Sequence, residues 1–492
     1  MNFTPIGRLK TIEAFRDYLY ECDPELGCDL ELEGREGPLG QSLDIVAADG
    51  TTRTVGNRFC VQPMEGWDAT ADGAPTDHML RRWRRFGESG AKLIWGCEAF
   101  AVQRDGRANP NQLFLNPEAD TRAVLAGLLG ELRSAHEAAF GTTGELVVGL
   151  QLTHSGRFSR PDGPMAPLIA ENNPLLAAKY DLPKETHVLT DDELRAIRDR
   201  MIKAACVAAD AGFDFVDVKA CHGYLVHELL GARTRTGDYG GSFENRTRFF
   251  KEVVTGIRRE RPGLIIGCRV SITDLPPFVE ETGTRLGTPM NFEEHLPWSH
   301  GFGVQKDDPM RPDWSEPVAF LELARSLGVS MVNLTVGSPY YCPHFQRPAA
   351  YPPSDGYLPP RDPLLEVARH LRTVREIKAR VPGLPLVGSG YSYLQDWLPY
   401  VAQSVVRNGH VDFVGLGRST LTYHDLPADV LAGRELKRKR FCRTFSDCTT
   451  GPRTGKISGC FPLDPYYNQM PESKEIKAIR MAASKARSQT DE

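Results

Sequence analysis

The stretch TDDELRAIRDRMIKAACVAADAGFDFVDVK, residues 190–219, contains the structural unit that decides the fold. It opens with Thr190 three residues before Glu193, the signature of a capping box, and the pattern predicts an amphipathic helix that ends at Ala211. A short run rich in β-branched and aromatic residues, Phe213–Lys219, follows and predicts a strand. A helix and a strand in immediate succession are typical of a parallel sheet covered by helices.

The same unit recurs along the whole chain. Short apolar or β-branched runs predict eight strands, and segments with helical periodicity lie in most of the gaps between them. The predicted strands are Phe59–Gln62, Lys92–Trp95, Leu146–Leu152, Phe213–Lys219, Leu264–Ser271, Met331–Thr335, Leu384–Val387 and Phe413–Leu416. The predicted helices are Asp77–Gly87, Pro117–Phe140, Thr190–Ala211, Ser242–Arg259, Glu316–Leu327, Pro363–Arg380 and Gln395–Asn408.

Eight strands, most of them followed by a helix, predict an α/β fold of the TIM (βα)8 barrel type. An open doubly wound sheet is the alternative, and it is less favoured because no glycine-rich dinucleotide fingerprint follows the first strand. We predict an N-terminal extension over residues 1–55 with a hairpin at Asp49-Gly50, the barrel over 56–433, and a C-terminal tail over 434–492. Long loops follow strands three, five and six at residues 157–188, 274–313 and 337–362, on the rim where barrel active sites are built.

Composition and charge restrict the partners. Of the 492 residues, 59 are Lys or Arg and 64 are Asp or Glu, a net charge of −5 that predicts no nucleic acid and no membrane as partner. Eleven cysteines, an odd number in a long chain, favour reduced thiols over a disulfide framework. Met1–Lys10 has no apolar signal region, and no apolar run reaches the ~20 residues that span a bilayer, so we expect a cytoplasmic location. A homo-oligomer stays open.

Polar residues follow nearly every predicted strand, and in a barrel such positions meet at one rim. Gly388-Ser389-Gly390 after strand seven and Gly415-Leu416-Gly417-Arg418 after strand eight offer backbone N–H groups and one guanidinium. This combination predicts a phosphate site, because the loops after strands seven and eight are where this fold binds phosphate. The other strand ends read Gln62-Pro63-Met64-Glu65, Gly96-Cys97-Glu98-Ala99, Gln151-Leu152-Thr153-His154, Lys219-Ala220-Cys221-His222-Gly223-Tyr224 and Arg269-Val270-Ser271.

These motifs resemble, in order, those of the Old Yellow Enzyme family of FMN-dependent NADH:flavin oxidoreductases and ene-reductases. The resemblance runs from about residue 55 to 435. It rests on Asn57-Arg58, Pro63-Met64, Gln-Leu-Thr-His-Ser-Gly-Arg at 151–157, His222-Gly223-Tyr224-Leu225, Tyr239-Gly240-Gly241-Ser242, Glu244-Asn245-Arg246, Arg269-Val270-Ser271 and Gly417-Arg418.

The resemblance implies that FMN lies across the barrel mouth and that NAD(P)H reduces it. A cation is implied near the N1–C2=O end of the flavin, where it stabilises the negative charge of the reduced ring. The implied cofactor-binding residues are Pro63, Met64, Glu65 and Ala99 at the ring, Gln151 at the pyrimidine edge, Arg269 at the N1–C2=O end, and Ser389, Gly390, Gly417 and Arg418 at the phosphate.

The resemblance also implies the reduction of an activated C=C bond in a small electron-poor alkene. Hydride would pass from the flavin to the β-carbon, and Tyr224 would supply a proton to the α-carbon. Lys219 and His222 would hold the substrate carbonyl, but Lys219 departs from the family pattern, in which this position is His. An ammonium group prefers an anionic partner, so a carboxylate on the substrate is an open alternative. Glu65 also departs from the pattern, and four possibilities stay open: it faces the flavin as a carboxylate, it is protonated, it points away, or it is paired with Lys219.

The tail resembles the iron–sulfur segment of larger relatives, the 2,4-dienoyl-CoA reductases and trimethylamine dehydrogenases. It carries Cys442, Cys448 and Cys460, with Phe445 at the position of a further ligand. Three cysteines do not meet the usual requirement for four thiolates, so we expect neither an iron–sulfur cluster nor another metal site.

Three other functions stay open at this point. They are an FMN-dependent dehydrogenase or demethylase of the trimethylamine dehydrogenase type, a Schiff-base lyase that uses Lys219, and a non-catalytic flavoprotein. We also predict that the loop 274–313, which contains Trp298, covers the substrate.

Overall fold

The structure is a computed structural model that describes the backbone of residues 3–488 and the side chains of residues 3–483. Eight parallel strands form a closed barrel, in which each strand pairs with its neighbours along the chain and the eighth pairs with the first. The predicted TIM barrel is therefore confirmed. Its strands are Phe59–Val61, Leu93–Ile94, Val147–Thr153, Phe215–Val218, Ile265–Ser271, Met331–Thr335, Leu386–Gly388 and Phe413–Leu416.

Helices surround the barrel close to their predicted positions. The capping box forms as expected: Glu193 N donates to Thr190 Oγ1 at 3.2 Å, and Thr190 N donates to the Glu193 carboxylate at 2.7 Å. The last outer helix begins later than predicted, at Leu398, because Gln395 has a φ of 52° and interrupts the helix. The outer helices are Asp77–Gly87, Thr121–Phe140, Asp191–Ala211, Phe243–Glu260, Ser315–Ser326, Pro363–Arg380 and Leu398–Arg407. Shorter or peripheral helices are Ile12–Cys22, Pro174–Lys179, Leu225–Gly231, Pro343–Gln346, Leu426–Leu431, Asp447–Arg453, Pro465–Asn468 and Pro471–Ser488.

The barrel interior has an apolar base and a polar mouth. Side chains alternate along a strand, so residues two positions apart point to the same face of the sheet. Phe215 points into the base of the barrel, and Asp217, two residues further on, points into the mouth. Leu43–Val46 and Thr52–Val55 pair as the predicted hairpin around Asp49-Gly50. The hairpin packs on the apolar base, which it closes. The base residues are Cys60, Leu93, Trp95, Val147, Phe215, Ile265, Met331, Val387 and Phe413.

The second barrel strand is broken, which the sequence pattern did not indicate. Leu93–Ile94 pairs with the start of the third strand, and the chain then re-enters the sheet as Ala99–Ala101 beside the end of that strand. Within the break, the Glu98 carboxylate forms a buried ion pair with Arg82 at 2.7 Å. The break therefore places Ala99 directly beside Gln151 in the strand register.

The three long loops meet above the mouth. Lys179 Nζ donates to Phe278 O at 2.7 Å, which joins the first loop to the second. Gly287 N donates to Leu358 O at 2.9 Å, which joins the second loop to the third. Trp298 is buried within the second loop. The role of this loop as a cover for the substrate stays a prediction.

The tail packs against both the third loop and the barrel. Ser446 Oγ donates to Tyr351 O at 2.6 Å, and Arg81 binds the Asp464 carboxylate at 3.0 Å. The division of the chain into three parts at residues 55 and 433 stays a prediction. No helix within residues 3–488 is both long enough and apolar enough to cross a membrane.

Candidate active site

A buried carboxylate organises one side of the barrel mouth. Asp217 Oδ2 accepts hydrogen bonds from Gln151 Nε2 at 2.6 Å and from Trp95 Nε1 at 2.7 Å, and Asp217 Oδ1 accepts one from Arg269 N at 2.7 Å. Burial raises the pKa of Asp217 above its usual value. Because the Gln151 amide N–H is held by Asp217, its carbonyl oxygen is left to accept a hydrogen bond from a ligand in the mouth.

Arg269, whose backbone N–H donates to Asp217, is buried and its side chain has few partners. Its Nη1 contacts Pro63 O at 3.4 Å, and its Nε is buried without a hydrogen-bond partner. No carboxylate of the described side chains forms an ion pair with this guanidinium. An unsatisfied buried donor is costly, so this cation is prepared for an electron-rich ligand atom.

The opposite side of the mouth holds a cluster of four polar side chains that contact one another. Lys219 Nζ lies 3.2 Å from Glu65 Oε1, and the same oxygen accepts a short hydrogen bond from the Tyr224 hydroxyl. The Tyr224 and Tyr340 hydroxyls are 2.6 Å apart, and Lys219 Nζ lies 3.7 Å from the centroid of the Tyr224 ring. We call these four residues, Glu65, Lys219, Tyr224 and Tyr340, the Glu65 cluster. Burial and the Glu65 carboxylate raise the pKa of Tyr224 well above its usual value.

Aromatic rings form the wall next to the Glu65 cluster. Phe158 stacks on Tyr340 with ring centroids 4.1 Å apart, and Phe158 also lies 6.4 Å from Tyr224. Tyr341 donates a hydrogen bond to Asp274 Oδ1 at 2.8 Å. Burial raises the pKa of Asp274 to about 7. The mouth therefore combines an apolar slot with a few fixed polar groups, as small-molecule sites do.

A tight turn presents Tyr224 to the mouth. His222 and Gly223 have φ of 67° and 79°, and a Cβ at Gly223 would come within 2.7 Å of Tyr341 Cε1. His222 N donates to Ser271 Oγ at 3.0 Å, and His222 O accepts from Ser338 Oγ at 2.7 Å. Burial, with Arg269 and Lys219 nearby, lowers the pKa of His222 well below its usual value, which favours the neutral imidazole.

The predicted phosphate residues lie at the far side of the mouth. The Ser389 hydroxyl is already engaged, because it accepts from Gln62 Nε2 at 3.1 Å. Gly390 has a φ of 96°, and a Cβ there would come within 2.8 Å of His370 Nδ1. Arg418 Nη2 donates to Pro348 O at 2.9 Å, while Arg418 Nη1 is buried without a partner. Backbone groups and Arg418, rather than the Ser389 hydroxyl, are thus available to an anion.

The tail cysteines lie near one another. Cys442, Cys448 and Cys460 interact electrostatically, and burial raises the pKa of the Cys442 and Cys460 thiols. The centroid of the Phe445 ring lies 5.7 Å from the centroid of the Tyr351 ring and 5.2 Å from Cζ of Arg480. Within residues 3–483, no group of three or more His, Cys, Asp or Glu residues is arranged to hold a metal ion. The expectation about the iron–sulfur cluster stays a prediction.

Comparisons with known proteins agree with this geometry. The model of the NADH:flavin oxidoreductase / NADH oxidase family matches residues 50–284, which confirms the resemblance to the Old Yellow Enzyme family. Over these residues the chain is similar to this family. The NADPH dehydrogenase of Geobacillus sp. (strain WCH70) is 30% identical over 235 residues, which cover 46% of this chain and 62% of that protein. The chain therefore spans less than two thirds of the length of this curated relative.

Solved structures agree with the family on the fold. A complex of 2-naphthoyl-CoA reductase superimposes with a TM-score of 0.63 at 19% identity, covering 89% of this chain and 58% of that chain. Histamine dehydrogenase from Rhizobium sp. 4-9 superimposes with a TM-score of 0.63 at 20% identity, covering 88% of this chain and 53% of that chain. Both likenesses show the same barrel fold over most of this chain.

The family motifs account for part of this site. The structure places the motif residues in three groups around the barrel mouth. Gln151 and Arg269 both bind Asp217, and Lys219 and Tyr224 both contact Glu65. Arg418 lies apart from both groups, against Pro348. The sequence analysis did not predict two residues of this site, Asp217 and Tyr340, because neither belongs to a family motif. Asp217 was signalled only by a lone carboxylate inside an apolar strand, and Tyr340 only by its place in a rim loop.

Proposed function

We propose that this chain is an FMN-dependent NAD(P)H oxidoreductase that reduces an activated C=C bond in a small electron-poor alkene. The observation that carries the proposal is the pairing of Gln151, held by Asp217, with the buried and unpartnered Nε of Arg269. An acceptor and a cation side by side match the pyrimidine end of a flavin, which presents both an N–H and electron-rich oxygen and nitrogen.

The residues present fit FMN along the whole mouth. Gln151 and Arg269 would hold the pyrimidine end, and Pro63, Met64, Glu65 and Ala99 would line the ring. Gly390, Gly417 and Arg418, with the backbone of Ser389, would hold the phosphate. Bound FMN would supply hydride chemistry between NAD(P)H and the substrate.

The residues around the ring divide the remaining work. Arg269 stabilises negative charge at the pyrimidine end, because its guanidinium is buried and unpaired with any described carboxylate. His222 and Lys219 hold the substrate carbonyl, His222 as a neutral donor and Lys219 as a charge. The aromatic wall of Phe158 and Tyr340 excludes water from the slot.

Tyr224 acts as the proton donor to the α-carbon. Burial and Glu65 raise its pKa, so the phenol keeps its proton until carbanion character develops on the substrate. The Tyr224 O–H bonds to Glu65 before substrate arrives. Donation therefore requires that the hydroxyl turns from Glu65 to the substrate, and the tyrosinate must regain a proton from solvent before the next cycle.

The decisive experiment is a spectrum of the purified protein before and after NADH and then NADPH, followed by a panel of activated alkenes. A yellow protein that bleaches with a nicotinamide and regains colour with an alkene supports the proposal. A colourless protein that FMN does not stabilise against heat contradicts the flavin assignment. A flavin that no nicotinamide bleaches supports the non-catalytic flavoprotein instead.

A second candidate, oxidation of the substrate, is favoured by the Glu65 contact. A carboxylate that accepts the Tyr224 O–H lets the pair take up a proton, as a dehydrogenase requires. The fold neighbour histamine dehydrogenase makes this direction worth testing. Lys219 Nζ already occupies the face of the Tyr224 ring, which disfavours a cationic amine at that face. Anaerobic bleaching by an uncharged alcohol or amine, without any nicotinamide, would establish this direction.

Schiff-base chemistry at Lys219 receives no support from the contacts of that residue. The Lys219 Nζ is held 3.2 Å from the Glu65 carboxylate and over the Tyr224 ring, contacts that engage the amine instead of leaving it free to attack a carbonyl. Borohydride trapping with a carbonyl compound tests this alternative, and labelling of Lys219 would revive it.

A further inference from the structure

Two arginines meet beside the predicted phosphate site. The Arg418 guanidinium donates through Nη2 to the carbonyl oxygen of Pro348, the residue that follows Arg347. Arg418 follows the eighth strand, whereas Arg347 lies in the loop after the sixth strand. Two elements that are far apart in sequence thus bring two like charges to one side of the mouth.

Neither guanidinium has a carboxylate partner among the described side chains. Arg347 Nη1 donates to Thr449 Oγ1 at 2.5 Å, and its Nη2 is buried without a partner, as is Nη1 of Arg418. The Asp355 carboxylate interacts electrostatically with Arg347, but it forms an ion pair with Arg453 at 2.6 Å. Burial and the charge of Arg418 lower the pKa of Arg347 below its usual value, as expected for an uncompensated cation.

Three buried arginines elsewhere in the chain, Arg82, Arg107 and Arg246, have the partners that Arg347 and Arg418 lack. Arg82 lies between the carboxylates of Asp68 and Glu98, and Arg246 binds the Glu316 carboxylate at 2.6 Å. Arg107 lacks a carboxylate but donates to four backbone carbonyls. Burying a charge without such partners is costly, so the pair points to an anion that the protein alone does not supply.

We propose that Arg347 and Arg418 form a two-guanidinium clamp for the phosphate of FMN, with Arg347 as a cofactor-binding residue outside the family motifs. The inference rests on the function proposed above. A phosphate monoester carries nearly two negative charges at neutral pH, which match two cations, and guanidinium groups bind phosphate oxygens in pairs. Thr449 is then a positioning residue, because its hydroxyl holds Arg347 from the tail.

The clamp ties the C-terminal tail to the cofactor. Thr449 holds Arg347, and Thr450 Oγ1 accepts a hydrogen bond from Ser354 N at 3.2 Å in the same loop. The tail segment that resembles an iron–sulfur binding segment would therefore serve here to retain FMN through its phosphate.

The test compares binding of FMN and of riboflavin, which lacks the phosphate, by fluorescence quenching in stripped protein. For Arg347→Gln we expect FMN binding to weaken about ten- to a hundredfold, because hydrogen bonds to charged groups are lost, with riboflavin binding unchanged within about threefold. Arg347→Lys should restore part of the loss. Arg443→Gln removes an arginine charge from the tail, and its partner Asp396 keeps an ion pair with Arg438 at 3.4 Å, so this control should leave the FMN-to-riboflavin ratio unchanged.

Each outcome decides a different question. A wild-type protein that binds neither flavin overturns the proposed function. A wild type that binds both, with the same FMN-to-riboflavin ratio in Arg347→Gln, overturns the clamp alone. Thr449→Val, which removes only a hydroxyl, covers the case in which Arg347→Gln does not fold. It should weaken FMN a few-fold and spare riboflavin, and an unchanged ratio in this variant counts against the clamp.

Discussion

The two sides of the barrel mouth differ in how they satisfy their polar groups. On the Asp217 side, the protein fixes Gln151 and Arg269 and leaves some of their atoms without a protein partner. On the Glu65 side, the carboxylate, the ammonium and two phenols satisfy one another. The first side is prepared for a permanent ligand, because it is incomplete without one. The second is complete by itself, as suits a site that is emptied and refilled in each catalytic cycle.

The largest effect is expected on the incomplete side. Arg269→Ala removes the cation that would stabilise negative charge on the reduced flavin, so flavin reduction by NAD(P)H should slow by about 100- to 1000-fold. Stopped-flow absorbance measures the rate. Arg269→Lys is the matched control and should recover part of it. A rate within threefold of wild type in Arg269→Ala would falsify the role of this cation.

On the self-paired side, Tyr224→Phe should separate the two half-reactions. Loss of the proton donor should slow alkene reduction by about 100-fold, a typical contribution of general acid catalysis. Reduction of the flavin by NAD(P)H should change little, because no proton from Tyr224 is needed there. Stopped-flow traces of both half-reactions provide the measurement. Equal slowing of both would indicate a packing role for Tyr224 instead.

Replacing Glu65 should open the self-paired cluster. The carboxylate raises the pKa of Tyr224, so Glu65→Gln, which keeps the shape and removes the charge, should lower that pKa. The alkaline limb of the alkene-reduction rate, where Tyr224 loses its proton, should then move down by about one pH unit. Asp274→Asn alters a different buried carboxyl nearby and should not move that limb. A limb that stays in place in Glu65→Gln contradicts the coupling.

The smallest effect is expected from replacing Asp274, which should change the pH dependence of the free energy of unfolding. Its pKa is raised by burial to about 7 in the folded protein against an ordinary value of 3.8, so folding favours the protonated form. Its contribution therefore becomes less favourable as pH rises from about 4 to 7, and it levels off above that. Asp274→Asn should gain about 2 kcal/mol relative to wild type between pH 5 and pH 7, measured by urea unfolding. A pH-independent difference would show that Asp274 is charged throughout.

The sequence predicted the fold well because the barrel depends on local patterns. Strand and helix periodicity is readable over ten to twenty residues, as the capping box at Thr190 illustrates, and the closed sheet follows from repeating that unit. The break in the second strand was missed, and so was the ion pair between Glu98, which lies within the break, and Arg82 on a helix. The local sequence pattern does not show which side chains from different elements will meet in the fold.

The site was predicted only where a residue follows a strand in a recognisable motif. The motifs located Gln151 and Arg269, but not the carboxylate of Asp217 that orients them from the neighbouring strand. The pairing of Glu65 with Lys219 was one of several open possibilities, and the fold brings together these two residues, which lie 154 positions apart in sequence. Arg347 was beyond reach, since nothing near it in sequence signals its approach to Arg418.

The hairpin over residues 43–55 has a kinetic consequence. Within residues 3–483 it closes the base of the barrel, which leaves the mouth as the entrance to the interior. In the proposed reaction, nicotinamide and alkene must then use one opening in turn and exclude each other. Initial-rate plots should give parallel lines, and each reactant at high concentration should inhibit competitively against the other.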